Sequence, residues 1–160
     1  MHLRAQSAME YLTTYGWAIL ILGIVLVSLY ALGVFNPANF ASSQCILNAG
    51  FSCLSFFITS NGILTVNLEQ ATSDPVNITA IGCNANQTTA NMIAPNNPPS
   101  NQLYITVGGN RTVSVQCYAG STTFSGTPGQ LFTGYIALNY TDDVTQLPNT
   151  LYGKLSVQIS

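Results

Sequence analysis

Between Glu10 and Glu69 the chain carries no charged side chain, and the first part of that gap, Tyr11 to Phe35 (YLTTYGWAILILGIVLVSLYALGVF), is almost wholly apolar. As a helix this run is about 37 Å long, at roughly 1.5 Å per residue. That exceeds the hydrocarbon core of a bilayer, about 30 Å, so the segment can cross a membrane with some tilt. It is apolar on every side rather than along one stripe, which suits lipid or a bundle of helices better than a soluble surface. Asn36-Pro37 is the expected stop, because proline lacks the amide donor and disfavours helix in the residue before it. Arg4 precedes the span and no charge follows it closely. By the positive-inside rule the N-terminus stays inside the cell and residues from about 36 onward face outward.

Charge is scarce along the whole chain: three Lys or Arg and five Asp or Glu, 5% of 160 residues. A typical soluble domain has about 25%. The net charge of −2 gives no electrostatic footprint for nucleic acid, so none is expected as a partner. Ser, Thr, Asn and Gln must hold water instead, and such a surface aggregates readily unless it is glycosylated or covered in an assembly.

Two features agree with export. The four cysteines, Cys45, Cys53, Cys83 and Cys117, allow two disulfides in three connectivities. The favoured one pairs Cys45 with Cys53 across a short loop and Cys83 with Cys117 between distant strands. No close CxxC pair is present, as a zinc ribbon would need, and no metal site is expected. Four N-x-T sequons begin at Asn77, Asn86, Asn110 and Asn139, each at or beside an expected turn or strand end, and all four are glycosylation candidates.

From residue 54 onward short alternating runs are broken by turn residues. LSFFITS and ILTVNLEQ flank Asn61-Gly62, which predicts a hairpin with a type I′ turn. PVNITAIGC follows a Ser-Asp-Pro turn, and residues 90–102 form a Pro/Asn-rich loop. QLYITV and RTVSVQCY flank Gly108-Gly109-Asn110, a second expected hairpin. LFTGYIALNY and LYGKLSVQIS complete about seven strands. The fold class is therefore α+β: a long N-terminal hydrophobic helix, then an all-β sandwich, with an immunoglobulin-like one among the options. The expected organisation is a helix over 6–35, a linker over 36–44 and an extracellular, disulfide-stapled β-domain over 45–160.

Nothing in the expected outer domain points to catalysis. His2 is the only histidine, which removes the usual general base and the Ser-His triads. Asp142-Asp143 is the only adjacent acid pair. Strand neighbours face opposite ways, and too few other carboxylates exist to build a calcium site. No catalytic residue and no cofactor is expected.

The most specific stretch is Arg4-Ala5-Gln6-Ser7-Ala8-Met9-Glu10-Tyr11-Leu12. An acid at the mouth of an apolar helix is costly near lipid, and Arg4 stands on another face of the helix. The stretch resembles the leader and helix start of archaeal type IV prepilins with very short signal peptides, whose pattern is QxSxExxxL. Gln6 and Glu10 match it; Ala8 stands in place of Ser and Thr14 in place of Leu, with Leu12 close by. The resemblance covers about the first 35 residues. It implies that prepilin peptidase cuts between Ala5 and Gln6, removing a leader over 1–5 and keeping the apolar helix. It also implies that Glu10, now the fifth residue, pairs with the Gln6 ammonium of a neighbouring subunit and sets the register of a filament. The implied partners are copies of the chain itself and the pilus assembly machinery, with the membrane as the place before assembly. The implied function is a structural subunit of a surface filament for adhesion. The alternative is a monomeric, single-span anchor holding a binding module outside the cell.

Overall fold

The computed structural model describes residues 3–35, 42–48, 50–95 and 102–160, the side chains of residues 3–9 and 12 excepted. It divides into two units, 1–41 and 42–160. The first is one helix, α1 (Leu3–Ala31). Its 19-residue stretch Thr13–Ala31 has a mean hydropathy of 1.9, and none of it is buried. The few hydroxyls bond back to the helix itself: Thr14 Oγ1 donates to the Glu10 carbonyl (2.9 Å) and Ser28 Oγ to that of Ile24 (2.8 Å). A polar group satisfied within its own helix is cheap to place in lipid.

The helix ends earlier than Asn36-Pro37, and glycine ends it. Gly33 takes φ 69°. Its N–H donates to the Tyr30 carbonyl (3.0 Å), and the Val34 N–H donates to that of Leu29 (3.1 Å). This pair of bonds is a Schellman cap, which satisfies the last carbonyls and needs a left-handed residue that glycine supplies without strain. The expected linker over 36–44 falls mostly outside the described residues. Its end, Ser42 to Gln44, already belongs to the second unit.

Among the described residues that unit holds nine strands: β1 (Gln44–Ile46), β2 (Phe51–Ile58), β3 (Ile63–Gln70), β4 (Val76–Asn84), β5 (Leu103–Ile105), β6 (Asn110–Ala119), β7 (Thr122–Thr123), β8 (Leu131–Asp142) and β9 (Pro148–Gln158). The seven expected strands are all present, and β1 and β7 are additions of three and two residues. The α+β class holds. The sheet path runs β1-β9-β8-β4-β6-β3-β2, with β5 added to β4 and β7 to β6. Strand β6 belongs to two neighbourhoods. Its first residues pair antiparallel with Ile63–Glu69, whereas Cys117 and Tyr118 pair parallel with Cys83 and Asn84. The sheet thereby folds over on itself into a near-barrel. First and second strands share a sheet in an immunoglobulin sandwich; here they lie at opposite ends of the path.

Alternation fills the space between the two halves. Leu64, Val66 and Leu68 of β3 face Ile78 and Ile81 of β4, Ile136 and Leu138 of β8, and Leu155 of β9 in one cluster, all essentially fully buried. Period-two burial of this kind is what a sheet with one wet face requires.

Two turns differ from the sequence reading. In the β2–β3 hairpin only Gly62 has positive φ (77°). The Gly62 N–H donates to the Thr59 carbonyl, and the Thr59 N–H to that of Ile63. This is a type I turn closed by a left-handed glycine, not type I′. The second expected hairpin does not form a ladder: β5 pairs with β4, and β6 with β3. Gln70 at the end of β3 takes the turn instead, its N–H donating to the Gly109 carbonyl and its carbonyl accepting from the Gly108 N–H, both at 3.0 Å. The chain changes sheets at that turn.

Candidate functional site

The residues singled out by the sequence fall into three separate places. The first is the start of α1. The backbone is helical through Ala5 and Gln6 and runs unbroken into the apolar stretch. Glu10 stands on it, exposed, three residues before Thr13–Ala31 begins. Its carboxylate has no partner among the described side chains; those of Arg4 and Gln6 lie outside them. Thr13, Gly16, Trp17 and Leu20 share a face just beyond it and line a shallow, open notch. A Cβ at Gly16 or Gly23 would meet nothing, so both glycines open the helix surface.

The second place is the pair of disulfides, Cys45–Cys53 and Cys83–Cys117. Each sits at a seam of the fold. Cys83 and Cys117 are direct partners where β4 and β6 meet, a parallel ladder only two residue pairs long. Both are buried in the core. Cys45 and Cys53 join β1 to β2, the two ends of the sheet path. Among the described residues the seam between β2 and the end of β9 has one bridge, Ile58 with Ile159, and the bonds from Ser160 N–H (3.0 Å) and Oγ (3.1 Å) to the Ile58 carbonyl. Where hydrogen-bonded pairing is thinnest, a covalent link holds the two halves together.

The third is the set of sequons. Asn86 is exposed in the bend after β4, and Asn110 is exposed as the first residue of β6. Asn77 and Asn139 lie half-buried within strands on the outer face. Asn77 Nδ2 donates to Asp143 Oδ1 (3.3 Å), and Asn139 Oδ1 accepts from Thr150 Oγ1 (3.0 Å). Strand β8 runs on to Asp142, so Asn139 stands inside it rather than at its end.

The two adjacent acids are divided between different tasks. Asp142 Oδ1 accepts from the backbone N–H of Thr145 (2.8 Å) and Val144 (2.9 Å), closing the β8–β9 turn. These bonds, Thr145's foremost, hold its carboxyl below the usual range against a smaller desolvation effect. Among the described residues no three His, Cys, Asp or Glu come together.

One feature has no signature in the sequence. On the outer face of β9, Lys154 lies between Ile46 of β1 and Tyr135 of β8, its direct partners in the two ladders. Around that row run two adjoining depressions of about 510 and 450 Å³, sharing Ile46, Tyr135 and Lys154. Tyr152 extends the floor, and Asn86 and Gln87 form part of one wall. Comparison of the chain with protein-family models and with curated proteins finds no match.

Proposed function

We propose that the chain is the structural subunit of a surface filament of the archaeal type IV pilus kind, assembled through α1 after loss of a short leader. The observation that carries this reading is the state of the helix: Thr13–Ala31 is apolar and wholly unburied, with Glu10 at its head. Such a helix needs an apolar surrounding, either lipid or neighbouring helices. A plain anchor gains nothing from an acid at its mouth. In a bundle of helices the same acid attracts the N-terminal ammonium of a neighbour, and each charge offsets the other's desolvation only when the subunits dock in register. The notch at Gly16 supports close helix approach, as small residues do in lipid.

The β-domain is then the outer layer, oriented outward by the flanking charge and held by disulfides that persist in an oxidising compartment. The leader is residues 1–5, cut between Ala5 and Gln6. The test is Glu10→Gln. Export and β-domain folding should be unchanged while filaments disappear under electron microscopy. Normal filaments from that variant would sink the register role of Glu10, whereas absence of filaments from the unaltered surface protein would leave the single-span binding module as the better reading.

A further inference from the structure

The groove over β8 and β9 has the make-up of a saccharide site. Its floor offers two half-buried tyrosine rings, Tyr135 and Tyr152; its walls offer Gln44, Asn48 and Gln87. Sugar rings present an apolar C–H face that stacks on an aromatic ring and a rim of hydroxyls that bond to amides. Concave sites lined by aromatic groups with a few placed polar ones are the common form for small ligands, at about 300–1,000 Å³. The nearest source of such a ligand is the wall itself. Asn86 lines the groove and begins the sequon Asn86-Gln87-Thr88.

The local backbone is built to present that residue. Asn84, 3% exposed, donates from Nδ2 to the Gly120 carbonyl (3.3 Å) and accepts at Oδ1 from the Asn86 N–H (3.2 Å). The bend is thereby fixed from inside the fold, while the Asn86 side chain is exposed and has no hydrogen-bond partner among the described residues. Asn77, by contrast, donates from Nδ2 to Asp143, and Asn139 stands half-buried inside β8 with its Oδ1 accepting from Thr150. Lys154 has no acidic partner among the described residues and stands where a sugar hydroxyl or carboxylate would reach it.

We propose that Asn86 carries an N-linked glycan whose first sugars lie in this groove, stacked on Tyr135 and Tyr152, so that the glycan is part of the folded domain. A tethered glycan meets the groove at an effective concentration in the millimolar range, so weak stacking is enough to seat it. The inference rests on the surface-protein reading, because glycan transfer requires export.

The test uses the full-length protein purified from the surface of producing cells. Glycopeptide mass spectrometry should find Asn86 occupied. Replacing Asn86 by Gln should lower Tm by about 2–5 °C, the size expected when a contact of about 1 kcal/mol is lost. The same replacement in a Tyr135→Ala, Tyr152→Ala background should shift Tm by much less. In the unaltered glycoprotein, sugar C–H resonances should move upfield under the tyrosine ring currents, a readout that needs no variant. A surface protein with bare Asn86, whether or not Asn77, Asn110 or Asn139 is modified, overturns the inference and leaves the filament reading standing. So do equal Tm shifts in both backgrounds, or sugar resonances at their free positions. A chain that never reaches the surface overturns both.

Discussion

Trp17, Ile19 and Val27 of α1 are each 69% exposed, whereas Ile58, Leu64 and Ile136 of the β-domain are completely buried. The two regions share a near absence of charge and resolve it in opposite ways. The domain turns most of its apolar side chains inward, with Leu54, Val107, Val144 and Leu147 among the exceptions, and neutral polar groups share its surface, as where Thr65 Oγ1 meets Ser114 Oγ at 2.8 Å across β3 and β6. It holds a core of its own. The helix turns its apolar side chains outward all round, so it is complete only in lipid or among other helices. The difference divides the labour: the domain needs internal staples, and the helix needs external partners.

Breaking the staples should therefore damage one region and spare the other. The largest effect is expected from replacing Cys83 and Cys117 together by Ser. They close a separation of 34 residues, which the chain-entropy model values at about 4 kcal/mol, and they hold the short β4–β6 seam from inside the core. Removing Cys45 and Cys53 together, 8 residues apart, should cost less, about 2.5 kcal/mol on the same model. Denaturant melts of the β-domain signal in detergent micelles would rank the two. The helical circular dichroism of α1 should stay unchanged in both variants. A loss of α1 helicity would show that the regions depend on each other for folding.

The smallest effect sharpens the same contrast through pH. The Asp142 carboxyl titrates below its ordinary value of 3.8 in the fold because the Thr145 and Val144 amides favour its charged form. Its contribution is fully present above the unfolded value and is lost as pH falls through the folded one. The domain should lose stability as pH falls through and below the ordinary carboxylate range, and Asp142→Asn should flatten that part of the profile. The span Thr13–Ala31 has no titrating carboxylate and should show no change over the same range. An identical acid profile in the variant would remove Asp142 from the explanation.

What could be read from the chain follows the range of the forces involved. The helix was legible because its pattern is local and long, and seven strands because alternation in the flanking sequence is local too. The errors lie where a local signal has two possible partners. Gly108-Gly109 is a turn, but whether it joins β5 to β6 depends on Gln70, which captures it from 38 positions away. Asn36-Pro37 is a stop signal, yet Gly33 stops the helix first. Strand β1 spans three residues of a stretch (SSQCILN) without the longer alternating run that marks β5 in QLYITV. The groove could not be read at all, because Ile46, Tyr135 and Lys154 come from three segments aligned only by ladder register. Of the candidate site, Glu10 and the cysteines were legible as residue types in position. Which strands the cysteines would staple depended on the fold of the sheet.

On the proposed reading α1 is kept, not discarded, and passes from membrane to filament after a short leader is lost. The N-terminal residue of the protein recovered from surface filaments tests it most directly. A mature chain beginning at Gln6, with Glu10 as its fifth residue and the apolar stretch intact, is the predicted result. A surface-exposed chain that still carries Met1 to Ala5, or one that begins after Phe35 with the helix removed, would contradict it.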